Sequence, residues 1–293
     1  MVYLCHVYHK EGNILATKKA TSTKKNAPVK KTSTTSSAAK TTVKTVPASA
    51  PKAGLSAHLE TSLQSKRLWR ALAAEFIGTF LLASVIIAGQ GQPIFVLFGL
   101  IGIVLLVGAI SGAHVNPAVT IGAWATRRIG WLRAVGYILV QFLGAAAAFF
   151  ALSAFIGGAA TVTEQQQLYG QTAPTLFAAI DLSTIGGKEW FVFFAELLGA
   201  AILGYAYANA SRNRDRLSGA ITIGTGIFIA LMVTVTVGGF VSASTILNPA
   251  VALALQAYDP SVWAYTVYAL APVIGGVIGF IVHDLVSGKA IAE

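Results

Sequence analysis

Residues 111–120 read Ser111-Gly112-Ala113-His114-Val115-Asn116-Pro117-Ala118-Val119-Thr120, and residues 244–252 read Ser244-Thr245-Ile246-Leu247-Asn248-Pro249-Ala250-Val251-Ala252. Both stretches are apolar. Both are shorter than the roughly 20 helical residues needed to cross about 30 Å of hydrocarbon. Each nevertheless carries a helix start, with Asn as the N-cap and Pro at the first helical position, where a missing N–H costs nothing. The two Asn-Pro-Ala tripeptides are 132 positions apart. They predict a pair of half-helices that enter the membrane without crossing it.

Around them lie six longer apolar runs, at about 68–89, 93–110, 131–156, 189–210, 217–238 and 261–284. Each is read as a membrane-spanning helix. The second is the shortest and continues into Ile110-Ser111-Gly112. The chain also repeats itself. Glu75-Phe76-Ile77-Gly78 returns as Glu196-Leu197-Leu198-Gly199, 121 positions later, and Tyr137, Gln141 and Gly144 align with Tyr268, Pro272 and Gly275, 131 positions later. Three spans per repeat oblige the second copy to enter from the opposite face. Inverted repeats with paired broken helices point to a transport site near the bilayer midplane. The fold class expected is an all-α membrane protein of six transmembrane helices plus two re-entrant half-helices.

The 293 residues are 55% hydrophobic and only 11% charged, with a mean hydropathy of +0.68. A soluble domain averages about 25% charged residues, so that class is excluded, as is a wholly disordered chain. The single cysteine, Cys5, excludes an intrachain disulfide framework and a cysteine-based zinc site. Residues 1–10 lack the apolar core of a secretory signal.

The net charge of +10 divides unevenly. Residues 1–65 hold ten Lys against Glu11 and Glu60, and residues 17–53 are almost wholly Lys, Thr, Ser, Ala, Val and Pro. Such a segment buries too little to offset its ordering entropy, so residues 1–65 are expected to be a disordered tail. Residues 66–290 are expected to be the membrane domain, with repeat one over about 67–156 and repeat two over about 188–287. Placing the N-terminus in the cytoplasm puts Lys66, Arg67, Arg70, Arg127, Arg128, Arg133, Arg212, Arg214, Arg216 and Lys289 inside, and only Lys188 outside. Both termini are then cytoplasmic, in a plasma or inner membrane. Trp69, Trp131, Trp190 and Trp263 stand at the starts of spans, as an interfacial aromatic belt would have them. Leu55, Leu59 and Leu63 hint at a short surface helix, and the tail's lysines favour contact with anionic lipid over nucleic acid.

With both tripeptides in equivalent places of an inverted repeat, and the run from Ser111 to Thr120, residues 67–287 resemble the major intrinsic protein family, the aquaporins and aquaglyceroporins. The resemblance implies two half-helices meeting N-terminus to N-terminus, so that both positive dipole ends repel cations at the pore centre. Asn116, Pro117 and Ala118 with Asn248, Pro249 and Ala250 would form that centre, the two Asn offering N–H donors that orient single-file water. Glu75 and Glu196 would each accept backbone N–H groups from the re-entrant loop of its own repeat, and His114 would pack in the loop rather than bind metal. A homotetramer is implied as well. No metal, cofactor or enzymatic activity is expected, since no nucleophile–base pair, metal cluster or phosphate-binding loop is found.

The chain departs from the family at the pore's narrow point. Where members carry Arg after the second Asn-Pro-Ala this chain has Val251, and where aquaglyceroporins carry Asp it has Ala252. Carrying the other filter positions over by spacing gives Thr236, Thr245 and either Val96 or Phe98. An uncharged filter loses the bulk, donors and fixed charge of an Arg. The expected function is a passive channel for water and small neutral solutes with weak discrimination. The competing classes are a secondary transporter and a pore-inactive adhesive or scaffolding protein. Residues 157–188 form a long outer loop, read either as a lid over the entrance or as a loose connection.

Overall fold

The structure, a computed structural model, describes residues 60, 62–157, 162–170 and 175–288, all within the unit spanning 53–293. The membrane body begins with α1 (Lys66–Ala88) and α2 (Pro93–Ser111), followed by the half-helix α3 (Pro117–Ala125) and then α4 (Trp131–Gly157). A connection carrying the short α5 (Glu164–Leu168) and a 3-10 turn (Leu182–Ile185) leads to α6 (Glu189–Ala210). Next come α7 (Arg216–Val241), the half-helix α8 (Pro249–Ala254) and α9 (Val262–Val286). Six of these helices are long and apolar enough to cross a membrane. Their bounds fall within about three residues of those read from hydropathy. The side on which α1 begins is called near, and the other far.

The expected tail lies outside the described residues, apart from Glu60 and residues 62–65, where the chain already turns as helix at Glu60, Ser62 and Leu63. Leu55, Leu59, Cys5 and Lys289 also lie outside them.

The Glu-x-x-Gly signature has a structural reason that recurs in both repeats. Residues just before each Asn take the left-handed backbone, Val115 at φ 44° and Leu247 at φ 61°. A side chain at positive φ is strained, most of all a β-branched one. Gly78 and Gly199 leave room for those residues: a Cβ on Gly78 would come 2.6 Å from Val115 Cγ1, and one on Gly199 would come 2.5 Å from Leu247 Cδ2. Three residues earlier, on the same helical face, Glu75 and Glu196 hold the loops themselves. Tyr137 and Tyr268 donate to the carbonyls of Ser111 and Ser244 at 2.7 and 3.2 Å, an equivalent pair of struts.

The repeats differ where Gln141 faces Pro272. Pro272 has no N–H, and residues 266–270 of α9 widen into a π turn just ahead of it. Such inserts commonly accommodate a broken helical ladder. The Tyr268 carbonyl accepts the Tyr258 hydroxyl instead, at 3.2 Å, and the same hydroxyl lies 3.0 Å from the carbonyl of Pro249. Packing elsewhere relies on small residues, as in membrane helices generally. A Cβ on Gly276 would meet the Ala118 carbonyl at 2.7 Å, which is how α9 lies against the half-helix α3.

Candidate functional site

The two half-helices meet at their N-termini through a reciprocal exchange. Asn116 Oδ1 accepts the N–H of Ala118 at 2.8 Å, capping α3, while its Nδ2 donates to the carbonyl of Leu247 at 2.9 Å. Asn248 Oδ1 accepts from Ala250 at 3.0 Å and from Val251 at 3.3 Å, and its Nδ2 donates to the carbonyl of Val115 at 2.9 Å. Each carboxamide therefore caps its own helix and grips the opposite loop. An amide nitrogen carries two hydrogens, and both side chains border a cavity on the far side. Pro117, Ala118, Pro249 and Ala250 are buried behind them.

Behind the loops stand the two buried carboxylates. Glu75 accepts the N–H of His114 on Oε1 at 2.9 Å and that of Val115 on Oε2 at 2.7 Å, and Gln141 Nε2 donates to the same Oε2 at 2.9 Å. Glu196 accepts the N–H of Ile246 on Oε1 and that of Leu247 on Oε2, the latter at 2.8 Å. Backbone groups outside a helix must find such partners in hydrocarbon. His114 Nδ1 lies 3.3 Å from Thr120 Oγ1, and Gln141 reaches the same hydroxyl at 3.0 Å. No group of three His, Cys, Asp or Glu able to hold a metal occurs among the described residues.

Two cavities flank this centre. The far one, of about 290 Å³, opens between α1, α2, α6 and α7 and ends on Asn116 and Asn248. The near one, of about 390 Å³, is bordered by Ser111, Gly112, Arg128, Asp215 and Arg216 among others. One face of each neighbouring helix runs past both. On α7, Gly219 and Ile223 face the near cavity and Ile227, Leu231, Val235 and Gly239 the far one, four residues apart throughout. On α2, Val96 and Leu100 face the far cavity and Val104 and Gly108 the near one. Residues four apart share a helical face, so the two cavities lie along one track through the molecule.

Of the filter positions drawn from the sequence, Val96 and Thr245 border the far cavity. Thr245 Oγ1 lies 3.1 Å from the Thr234 hydroxyl, which also meets the Ala230 carbonyl at 2.9 Å. Phe98, Thr236 and Val251 are not among the residues lining it. Phe98 lies on the opposite face of α2 and is 65% exposed. Thr236 is one position off the α7 track; it is exposed and bonds the Met232 carbonyl at 3.2 Å, leaving Val235 and Gly239 on the wall. Val251 is fully buried in the first turn of α8. Among the described residues, no Lys, Arg, Asp or Glu borders the far cavity.

Two wall residues were not singled out from the sequence. Phe177, on the connection between α4 and α6, reaches the far cavity and packs on Gly91, whose φ is +66° and where a Cβ would sit 2.6 Å from Phe177 Cζ. Its segment is anchored by the Ala179 N–H, which donates to the Leu255 carbonyl at 2.8 Å, and by buried Leu182 and Ile185. Asp181 caps that turn, accepting the Ser183 N–H at 2.8 Å, and this backbone hydrogen bond holds its carboxyl below the usual range. The second is Tyr207, on α6, which borders both cavities. The i, i+4 relation to Leu203 could have placed it on the track; nothing local could have placed Phe177.

The family described as Major intrinsic protein matches residues 62–283. Among curated proteins, the chain is 30% identical over 237 residues to Aquaporin NIP3-1 of Oryza sativa subsp. japonica, covering 75% of this chain and 68% of that one. It is 29% identical over 253 residues to Aquaporin AqpM of Methanothermobacter marburgensis, covering 74% and 96%. It is 32% identical over 216 residues to Glycerol uptake facilitator protein-like 6 of Lactiplantibacillus plantarum, covering 70% and 92%. Among solved structures, the aquaglyceroporin from Plasmodium falciparum shares the fold, with a TM-score of 0.53 at 21% identity, over 77% of this chain and 97% of that one.

Proposed function

The chain belongs to the major intrinsic protein family, and from that premise we propose that it is a passive channel for water and small neutral solutes with a relaxed, uncharged filter. The observation that carries the reading is the far cavity: it ends on two capping Asn side chains, and among the described residues no Lys, Arg, Asp or Glu borders it. Val96, Val235 and Gly239 offer no side-chain donor there, and the polar wall is made by uncharged side chains, Gln90, Gln92, Ser244, Thr245, Tyr207 and the two Asn, together with His114. Such a wall admits a neutral solute without selecting tightly among polyols. Cation exclusion rests on the N-terminal ends of α3 and α8, whose partial positive charges face the same point. Cytoplasmic termini and a four-copy assembly belong to the same reading. The first is supported by the ten-to-one distribution of basic residues, the second by the family alone.

The test is stopped-flow light scattering on proteoliposomes of the full chain with water, glycerol and urea as permeants. All three are expected to cross faster than in protein-free vesicles, without saturation and without ionic current. Flux that saturates, or that needs a proton or sodium gradient, would make the protein a transporter. Vesicles no more permeable than lipid alone would leave only a scaffolding role.

A further inference from the structure

Among the described residues, His114 and Tyr207 are the only two that border both cavities. Tyr207 stands on the α6 track between Leu203, which faces the far cavity, and Ser211, which faces the near one. Its ring is almost fully buried and meets the His114 imidazole edge-on, with centroids 6.4 Å apart. Its hydroxyl donates to the carbonyl of Ala113 at 2.9 Å and lies 3.2 Å from that of His114.

Those carbonyls belong to the re-entrant loop, where no helical N–H is available to them; Ala113 is fully buried, whereas His114 borders both cavities. The second loop offers a direct comparison. Positions 245 and 246 there correspond to 113 and 114, and both border the far cavity. Among the described residues nothing donates to the Thr245 or Ile246 carbonyls. One loop leaves its acceptors open to the pathway, and the other has them covered by a phenol.

We propose that Tyr207 is the specificity-determining residue of the near half of the pathway. Its hydroxyl, held in place by the buried Ala113 carbonyl, stands where a permeating hydrogen-bond donor would, and a molecule passing between the cavities must take over the His114 carbonyl from it. The class of solute this favours is small and neutral with O–H or N–H donors: water, short polyols and amides. This inference rests on the channel reading above.

The experiment compares the parent chain with Tyr207→Phe, Tyr207→Leu and Tyr205→Phe in proteoliposomes, with flux normalised to reconstituted protein and folding checked by thermal melting. Tyr207→Phe keeps the ring and frees the acceptors. Water, glycerol and urea fluxes are expected to rise about twofold to tenfold, the range that one net hydrogen bond is worth. Tyr207→Leu should show at least as large an increase, which guards against a folding defect peculiar to the Phe variant. Tyr205→Phe, on the outer face of α6 beside Gly279, should match the parent. If the parent conducts and neither Tyr207 variant is faster, the proposal is overturned while the channel reading stands. If the parent and Tyr205→Phe do not conduct at all, both fall together.

Discussion

Arg128 grips Asp284 with both ends of its guanidinium, Nη1 to Oδ2 at 3.0 Å and Nη2 to Oδ1 at 2.7 Å. The pair ties the segment after α3 to the last turn of α9, and the Arg128 guanidinium also lies 4.9 Å above the Phe280 ring. Arg212 adds a longer contact to the same carboxylate, at 3.3 Å. Bidentate geometry makes this the strong member of the cluster.

Removing the shared acid should therefore cost more than removing either base. Asp284→Ala leaves two guanidinium groups facing one another and is expected to lower stability by about 1.5–3 kcal/mol, the cost of hydrogen bonds to a charged group. Arg212→Ala, which loses only the longer contact, should cost well under half as much. Thermal melting in detergent decides between them, and equal losses would contradict the ranking.

Gly199→Ala should disturb the pore centre from outside it. The new Cβ would meet Leu247, whose carbonyl holds the Asn116 amide, and Thr234 Cγ2 at 2.8 Å. Overpacking of this kind costs about 1–3 kcal/mol. Water permeability per channel should fall along with the melting temperature. Gly239→Ala, on the wall with no heavy atom within 4 Å of its Cβ, should not lower the melting temperature, since Ala is the better helix former.

Phe177→Ala opens the far mouth without touching either Asn. Its ring is a wall of the far cavity supplied by the connection between α4 and α6 rather than by a membrane helix. Flux of solutes larger than glycerol, measured against a size series of polyols, is expected to rise more than that of water. A uniform change across the series would remove Phe177 from the filter.

The Asp181 cap gives the same segment a pH dependence. Its carboxyl titrates below the usual value in the folded loop, so its contribution is fully present above the ordinary carboxylate pKa of about 3.9. That contribution is lost as pH falls further, through the depressed folded value. Hydrogen exchange at the Ser183 amide, corrected for intrinsic rate, should accelerate on acidification in the parent. In Asp181→Ala it should be fast at every pH.

The membrane helices were legible because hydrocarbon imposes one length and one composition on anything that crosses it. The half-helices were legible because Asn followed by Pro marks a helix start even where no crossing is possible. Side-chain facing was harder. Thr245 sits three residues before Asn248 on the same short loop, and its position carries over by counting. Thr236 lies on α7, beyond a bend at Ser242, which has φ 57°. A one-residue offset on a helix turns a side chain by about 100°, which is the difference between Thr236 facing outward and Val235 facing the cavity. Val251 shows a different limit, since the type of residue at a filter position does not say whether so small a side chain reaches the lumen. Phe177 was out of reach altogether, because its place depends on how a long connection settles on Leu255.

The exchange between Asn116 and the Leu247 carbonyl also sets an order of events during synthesis. The first loop's partner lies 131 residues further along the chain, so if repeat one enters the bilayer before repeat two is made, its Asn116 amide lacks this acceptor for that interval. Repeat one is provided for that interval: Gln141 bonds both Glu75 and Thr120, holding carboxylate, loop and half-helix together once α4 is in place. Repeat two arrives to find its acceptor already waiting. At the matching position it has Pro272, which can do no such holding.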